Sequence, residues 1–181
     1  MIEVLSHLRE PVAKIMRKKL DKKNILFVCA GNTCRSVIAQ ALFQKLKEEL
    51  CPELDYSADS AGIAVDHGIS ASNETIFCLA KQGIDVTTHQ AKMVDARLLE
   101  KSSLILTMTN QQLNYLKDKF PHAKNKIFLF KPFSHQKKYM RNDEIEDPFG
   151  RGLSFYEYIC QYLKQDIKKL IFHLREDFKY E

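Results

Sequence analysis

The chain is predicted to fold as a single α/β domain, a four-stranded and mainly parallel sheet with helices on both faces. Three observations lead there. Short apolar runs alternate with stretches of helical periodicity, 181 residues suffice for one well-buried core, and no internal repeat, Pro/Gly/Ser-rich linker or low-complexity segment divides them. In a sheet of this kind ligands bind beyond the carboxyl ends of the strands.

The first strand is read from Ile25-Leu26-Phe27-Val28, four apolar residues in a row, as a strand buried on both faces requires. Gly31-Asn32 supplies a turn, and Val37 to Leu50 reads as an amphipathic helix with Ile38, Leu42, Phe43, Leu46 and Leu50 on one side. Asp55 to Asp59 is a short strand, leading into Ser60-Ala61-Gly62 and a glycine-containing loop through Gly68. A helix follows from about Ala71 to Gln82, with Gly83 placed to cap its end. Leu104 to Met108 is the third strand, Gln111 to Lys119 a helix that Pro121 stops, and Lys126 to Phe130 the fourth strand. The last helix has the clearest pattern: Ser154 with Glu157 reads as a capping box, and Tyr156, Ile159, Cys160, Leu163, Ile167, Leu170, Ile171 and Leu174 recur at helical spacing. Cys160 in that stripe is an inert, packed thiol.

The chemistry is concentrated in Cys29-Ala30-Gly31-Asn32-Thr33-Cys34-Arg35-Ser36, the turn that leaves the first strand. Cys29 stands at the strand's carboxyl end and faces a helix N-terminus, whose unpaired N–H groups and positive dipole end bind phosphate and favour a thiolate over a thiol. Cys29 is therefore the expected nucleophile. Arg35 closes the turn with a planar, permanently charged fork that holds two phosphate oxygens at once, a role lysine does not fill equivalently.

This stretch resembles the signature of the low-molecular-weight protein-tyrosine phosphatase family, a strand followed by Cys-x-Gly-Asn-x-Cys-Arg-Ser-Pro. Cys29, Gly31, Asn32, Cys34, Arg35 and Ser36 stand at signature positions; Ser60-Ala61-Gly62 and Asp85 through His89 resemble two further family segments, and Asp147-Pro148-Phe149-Gly150 resembles its acid loop. The similarity runs from about residue 24 to 175, in order. It implies a two-step hydrolysis without metal or cofactor, in which Cys29 forms a cysteinyl-phosphate and Asp147 serves as general acid and then general base. It also implies that backbone amides from Ala30 to Arg35 cradle the phosphoryl oxygens, that Ser36 hydrogen-bonds the Cys29 sulfur, that Asn32 holds the strained turn, and that His89 anchors that asparagine. Asp143, Glu144 and Glu146 compete for the acid role, but only Asp147 precedes a proline and an aromatic. Phe149 is either a substrate-side wall or a loop aromatic folded onto the core.

The sequence departs from the pattern at Val37, where proline usually stands, and at Ser103, where aspartate is frequent. Thr33 bears on the substrate. Tyrosine-directed members usually carry a branched apolar residue there, whereas threonine resembles the bacterial protein-arginine phosphatase subgroup; its hydroxyl suits a guanidinium better than a phenyl ring. Phosphotyrosine in a protein is the first reading and phosphoarginine the alternative. A thiol-linked arsenate reductase shares the loop but needs two more cysteines; Cys78 falls within a predicted helix, and Thr107-Met108-Thr109 offers no cysteine pair. A binding module without turnover predicts loss of Cys29, Arg35 or Asp147, and all three are present. Cys34, five residues from Cys29, is a candidate partner for a protective disulfide.

Composition excludes other classes. No apolar run approaches membrane-spanning length, no signal-peptide pattern opens the chain, and no CxxC or HExxH metal spacing occurs. Five cysteines without framework spacing suit a reducing, cytoplasmic setting. The net charge of +5 is uneven: residues 1–23 hold seven Lys/Arg against three Asp/Glu, leaving 21 against 20 in the phosphatase-like domain of residues 24–181. This basic extension is weakly amphipathic (Val4, Leu5, Leu8, Val12, Ile15, Met16) and interrupted by Pro11. It is open to an acidic partner, a membrane surface, or simple packing on the domain. No nucleic-acid motif accompanies it.

Overall fold

The computed structural model describes residues 23–66, 68–136 and 143–178. Apart from Lys23, the basic extension lies outside the described residues. The elements are β1 (Lys23–Cys29), α1 (Arg35–Leu50), β2 (Tyr56–Gly62), α2 (Asn73–Ala80), α3 (Ala96–Lys101), β3 (Leu104–Thr107), α4 (Asn110–Lys119), a 3-10 turn (Pro121–Lys126), β4 (Ile127–Leu129), α5 (Phe130–Ser134) and α6 (Leu153–Phe178). The four strands form one sheet in the order β2-β1-β3-β4. Every pairing is parallel.

Alternation along the strands sends side chains to opposite faces, and both faces are covered. Ile25, Phe27, Leu104 and Leu106 pack with α1 and α6. Leu26, Val28, Ile105 and Ile127 pack on the other face with Leu99 of α3, Leu116 of α4, and Phe120 and Ala123 around the 3-10 turn. All eight residues of the α6 stripe are buried, so this helix is held by its apolar face.

Several sequence expectations are corrected. Leu50 at the end of α1 is 37% exposed and does not join Ile38, Leu42, Phe43 and Leu46 in the core. α6 begins at Leu153, directly after Gly152 with φ +76°. Ser154 therefore lies inside the first turn, and its proposed partner Glu157 instead pairs with Lys81 at 2.5 Å. A capping box does occur, but on α4, where Thr109 and Gln112 satisfy each other's backbone N–H groups. Ser103, in place of aspartate, ties β1 to β3: its N–H donates to the Asn24 carbonyl at 2.8 Å and its hydroxyl accepts from Asn24 N–H at 3.2 Å.

The strand order reverses direction between β1 and β3, which makes the gap beyond their carboxyl ends the place where an open parallel sheet binds its ligand. Cys29 ends β1 there. The segment carrying Asp147 is drawn to the same gap, because Ile145 N–H donates to the Met108 carbonyl at 2.9 Å, just past β3.

Candidate active site

Residues 30–34 link β1 to α1, which, like α5, starts without a side-chain cap. α2, α3 and α4 have their first N–H groups capped by Ser72, Asp95 and Thr109. At α1 the capping position is Cys34, with no side-chain hydrogen bond, and the first turn holds no acidic residue. No described residue accepts from the N–H groups of Gly31, Thr33 or Cys34. A row of unsatisfied donors at a helix N-terminus is a seat for an anion.

The seat is shaped by Asn32. Its φ is 55°, in the left-handed region that asparagine tolerates better than most residues. Its buried side chain donates to Ser36 Oγ and Ser60 Oγ, each at 2.9 Å, and accepts from Lys92 N–H at 3.0 Å. Its carbonyl accepts from His89 Nε2 at 2.8 Å, which fixes that ring nitrogen as the protonated one. His89 thus holds Asn32 through the main chain, while Ser36, Ser60 and the Lys92 backbone hold the side chain. Gly62, opposite the loop, is required by space: a Cβ there would meet the Ala30 carbonyl oxygen at 2.3 Å, Val65 Cγ2 at 2.5 Å and Asn32 N at 3.0 Å.

Cys29 Sγ lies 3.0 Å from Ser36 Oγ and accepts from Asn32 N–H at 3.3 Å. It lines a cleft of about 410 Å³ with Ala30, Gly31, Thr33, Cys34, Arg35, Ala64, Asp66, Ile69, Asp147 and Phe149. Arg35 is buried, with Nη1 donating to the Ile145 carbonyl at 3.0 Å and Nη2 in an ion pair with Asp147 Oδ2. Its Nε–H is buried without a partner, a donor of the guanidinium fork still to be satisfied.

The other carboxylates are engaged elsewhere. Glu144 accepts from Asn110 N–H and Nδ2, each at 2.8 Å, Glu146 pairs with Arg151 at 2.7 Å, and Asp143 is buried 3.9 Å from Lys131. Asp147 alone of the four lines the cleft, with Oδ1 accepting from Phe149 N–H at 3.2 Å. Phe149 is 78% exposed and lines the cleft rather than folding onto the core.

Cys34 Sγ contacts Tyr156 Oη at 3.2 Å and Thr33 Oγ1 at 3.4 Å, and donates to Ser72 Oγ at 3.6 Å. Burial, then the contact with Cys34, pushes the Tyr156 hydroxyl pKa above its ordinary value. Cys78 and Cys160 lie apart from the cleft. Burial, followed by the neighbouring Cys160 and Glu157, pushes the Cys78 thiol up to about 11, and burial likewise raises Cys160.

The structure brings the sequence-predicted loop and Asp147 to one cleft, and adds residues around them that the sequence analysis does not single out. Lys92, Ile145 and the cleft residues Ala64, Asp66 and Ile69 are distant in the chain and carry no local pattern, and Tyr156 is legible only as a member of the α6 stripe. Ser60 and Gly62 were visible only as part of the Ser-Ala-Gly segment.

The model of the family Low molecular weight phosphotyrosine protein phosphatase matches residues 24–180. A low molecular weight protein-tyrosine-phosphatase, Ptp, of Acinetobacter johnsonii is 33% identical over 135 residues, 75% of this chain and 86% of the relative. A protein-arginine-phosphatase of Bacillus subtilis (strain 168) is 29% identical over 157 residues, 85% and 98% of the two chains. Among solved structures, the YwlE arginine phosphatase from Geobacillus stearothermophilus superposes with a TM-score of 0.76 at 30% identity, covering 86% of this chain and 94% of that one. A low molecular weight protein tyrosine phosphatase from T. tengcongensis superposes with a TM-score of 0.75 at 35% identity, covering 82% and 97%.

Proposed function

The chain belongs to the low molecular weight phosphotyrosine protein phosphatase family, cysteine-dependent protein phosphatases, and we propose that it hydrolyses phosphotyrosine in proteins through a cysteinyl-phosphate on Cys29. The observation that carries this reading is the pairing of an anion seat with a nucleophile at its centre. Uncapped amides and the unpartnered Nε–H of Arg35 surround the same cleft that Cys29 Sγ lines.

In the first step the phosphoryl group displaces Asp147 from Arg35, whose fork then binds two equatorial oxygens with the loop amides. Cys29 Sγ attacks phosphorus as the bond to the leaving oxygen breaks. Released from its ion pair beside the leaving atom, Asp147 takes up a proton from solvent and gives it to that atom. In the second step Asp147 takes a proton from water, the water oxygen attacks phosphorus, and phosphate departs with Cys29 restored. Ser36 Oγ, within 3.0 Å of the sulfur, stabilises it as attacking and departing group.

A second reading, phosphoarginine, is favoured by Thr33, which lines the cleft, and by the relatives named as arginine phosphatases. The same steps then break a phosphorus–nitrogen bond. Among the described residues no helix is long and apolar enough to cross a membrane. All five cysteines are buried free thiols, which suits action in the cytoplasm.

The test is turnover of para-nitrophenyl phosphate and phosphotyrosine peptides by the full chain and two variants. Cys29→Ser is expected to abolish turnover, and Asp147→Ala to lower kcat by about a hundredfold or more. A Cys29→Ser protein as active as the parent refutes the proposal, and an Asp147→Ala protein of unchanged kcat removes Asp147 from the acid role.

A further inference from the structure

The charges that line the Cys29 cleft do not balance. Arg35, Asp66 and Asp147 are the charged residues among those lining it. Arg35 and Asp147 are bound to each other, which leaves Asp66. Its side chain is exposed and makes no ion pair or hydrogen bond with any described residue. The wall around it, Ala64, Ile69 and Phe149, is otherwise apolar.

The loop that carries Asp66 is fastened to the nucleophile's own loop. Ile63 N–H donates to the Cys29 carbonyl at 3.1 Å and Ala64 N–H to the Ala30 carbonyl at 3.0 Å, while on the far side Ala91 N–H donates to the Ile69 carbonyl at 2.8 Å. Asp66 thus lies two residues from an anchor on the loop that carries Cys29. Once the phosphoryl group takes over Arg35 and Asp147 holds the proton it gives to the leaving atom, Asp66 is the carboxylate left facing the cleft, and no further cation lines it among the described residues. A neutral phenyl ring gains nothing from a carboxylate set into its apolar wall. A positive charge near the phosphorylated atom gains a partner.

We propose that Asp66 is a specificity-determining residue that selects substrates with a cationic group close to the phosphoryl group. The inference rests on the phosphatase reading of this cleft. The cation has two sources of the same chemistry: the guanidinium of phosphoarginine itself, or a lysine or arginine beside a phosphotyrosine.

The experiment measures kcat/KM with the full chain, Asp66→Asn and Asp66→Lys on four peptides that are otherwise uncharged. They contain phosphoarginine, phosphotyrosine, phosphotyrosine flanked by lysine, and phosphotyrosine flanked by glutamate. Para-nitrophenyl phosphate is measured beside them. Asp66→Asn is expected to lower the ratio of cationic to uncharged or acidic substrate by about fivefold, the upper range for a solvent-exposed pair. Asp66→Lys is expected to turn the preference toward the glutamate peptide. The parent's preference should shrink between low and high salt, as screening demands. A change confined to the phosphoarginine ratio assigns the cation to the guanidinium, and one confined to the flanked peptides assigns it to the neighbouring residue. Ratios that both variants leave unmoved overturn the inference while the phosphatase reading stands. A parent chain inert toward every substrate, para-nitrophenyl phosphate included, overturns both.

Discussion

Replacing Gly62 with alanine asks whether the shape of the phosphate loop is enforced from the neighbouring strand. The added Cβ would lie 2.3 Å from the Ala30 carbonyl oxygen, where ordinary contact begins at 3.4 Å, so about 1 Å of movement is needed. The Val65 methyl group can turn aside. The Ala30 carbonyl and the Asn32 amide belong to the loop backbone, adjacent to Cys29, and must shift bodily. Overpacking of this kind destabilises by about 1–3 kcal/mol, which for a chain of this size lowers Tm by about 5 °C. The same displacement moves the amides and the sulfur by about 1 Å relative to the phosphoryl group, enough to lower kcat by about a hundredfold. The assay is kcat on para-nitrophenyl phosphate at 25 °C beside a thermal denaturation curve for each protein. A Gly62→Ala enzyme that stays folded and keeps kcat within about threefold of the parent would refute the argument that this contact sets the loop.

Three further outcomes are expected. Thr33→Ile should shift the ratio of phosphotyrosine to phosphoarginine turnover toward phosphotyrosine by about tenfold, because the cleft loses a hydroxyl and gains apolar bulk; an unchanged ratio would deprive Thr33 of any bearing on the substrate. Iodoacetamide at pH 7.5, followed by peptide mass spectrometry, should label Cys29 and spare Cys78 and Cys160. The raised pKa of these two thiols keeps them protonated at that pH, with Cys78 forming thiolate only as pH approaches about 11, so labelling of Cys78 at the rate of Cys29 would contradict the assignment. Mild peroxide should inactivate the enzyme reversibly through a Cys29–Cys34 disulfide, with activity restored by a dithiol; irreversible loss at the same dose would rule that protection out.

What the sequence made legible follows from how locally each feature is encoded. The apolar runs at residues 25–28 and 104–106 and the α6 stripe were readable because burial on two faces, or along one helical face, leaves a continuous pattern. The α3, 3-10 and α5 segments were missed because five or six residues are too few to display a period. The capping box was placed on Ser154 and Glu157 because the S-x-x-E pattern does not reveal where a helix begins; Gly152 decides that through its backbone. In the site, the residues from Cys29 to Ser36 were legible because one strand-to-helix turn contains them all. Ser60, Lys92 and Ile145 were not, because their roles arise only when β2, the segment after His89 and the acid loop meet at the sheet's reversal point.

Asn32 joins that assembly at one point: its amide binds Ser36, Ser60 and Lys92, and its carbonyl binds His89. A bend clamped from four directions has little freedom to remould itself around an incoming ion. Tetrahedral oxyanions such as sulfate and vanadate will therefore compete for it on size and charge alone. Accommodation of everything attached to the phosphorus falls to the outer banks of the cleft, Ala64, Asp66 and Ile69 on one strip of chain and Asp147 and Phe149 on another. Divergence in what such enzymes accept can accumulate there while the anion cradle keeps one form.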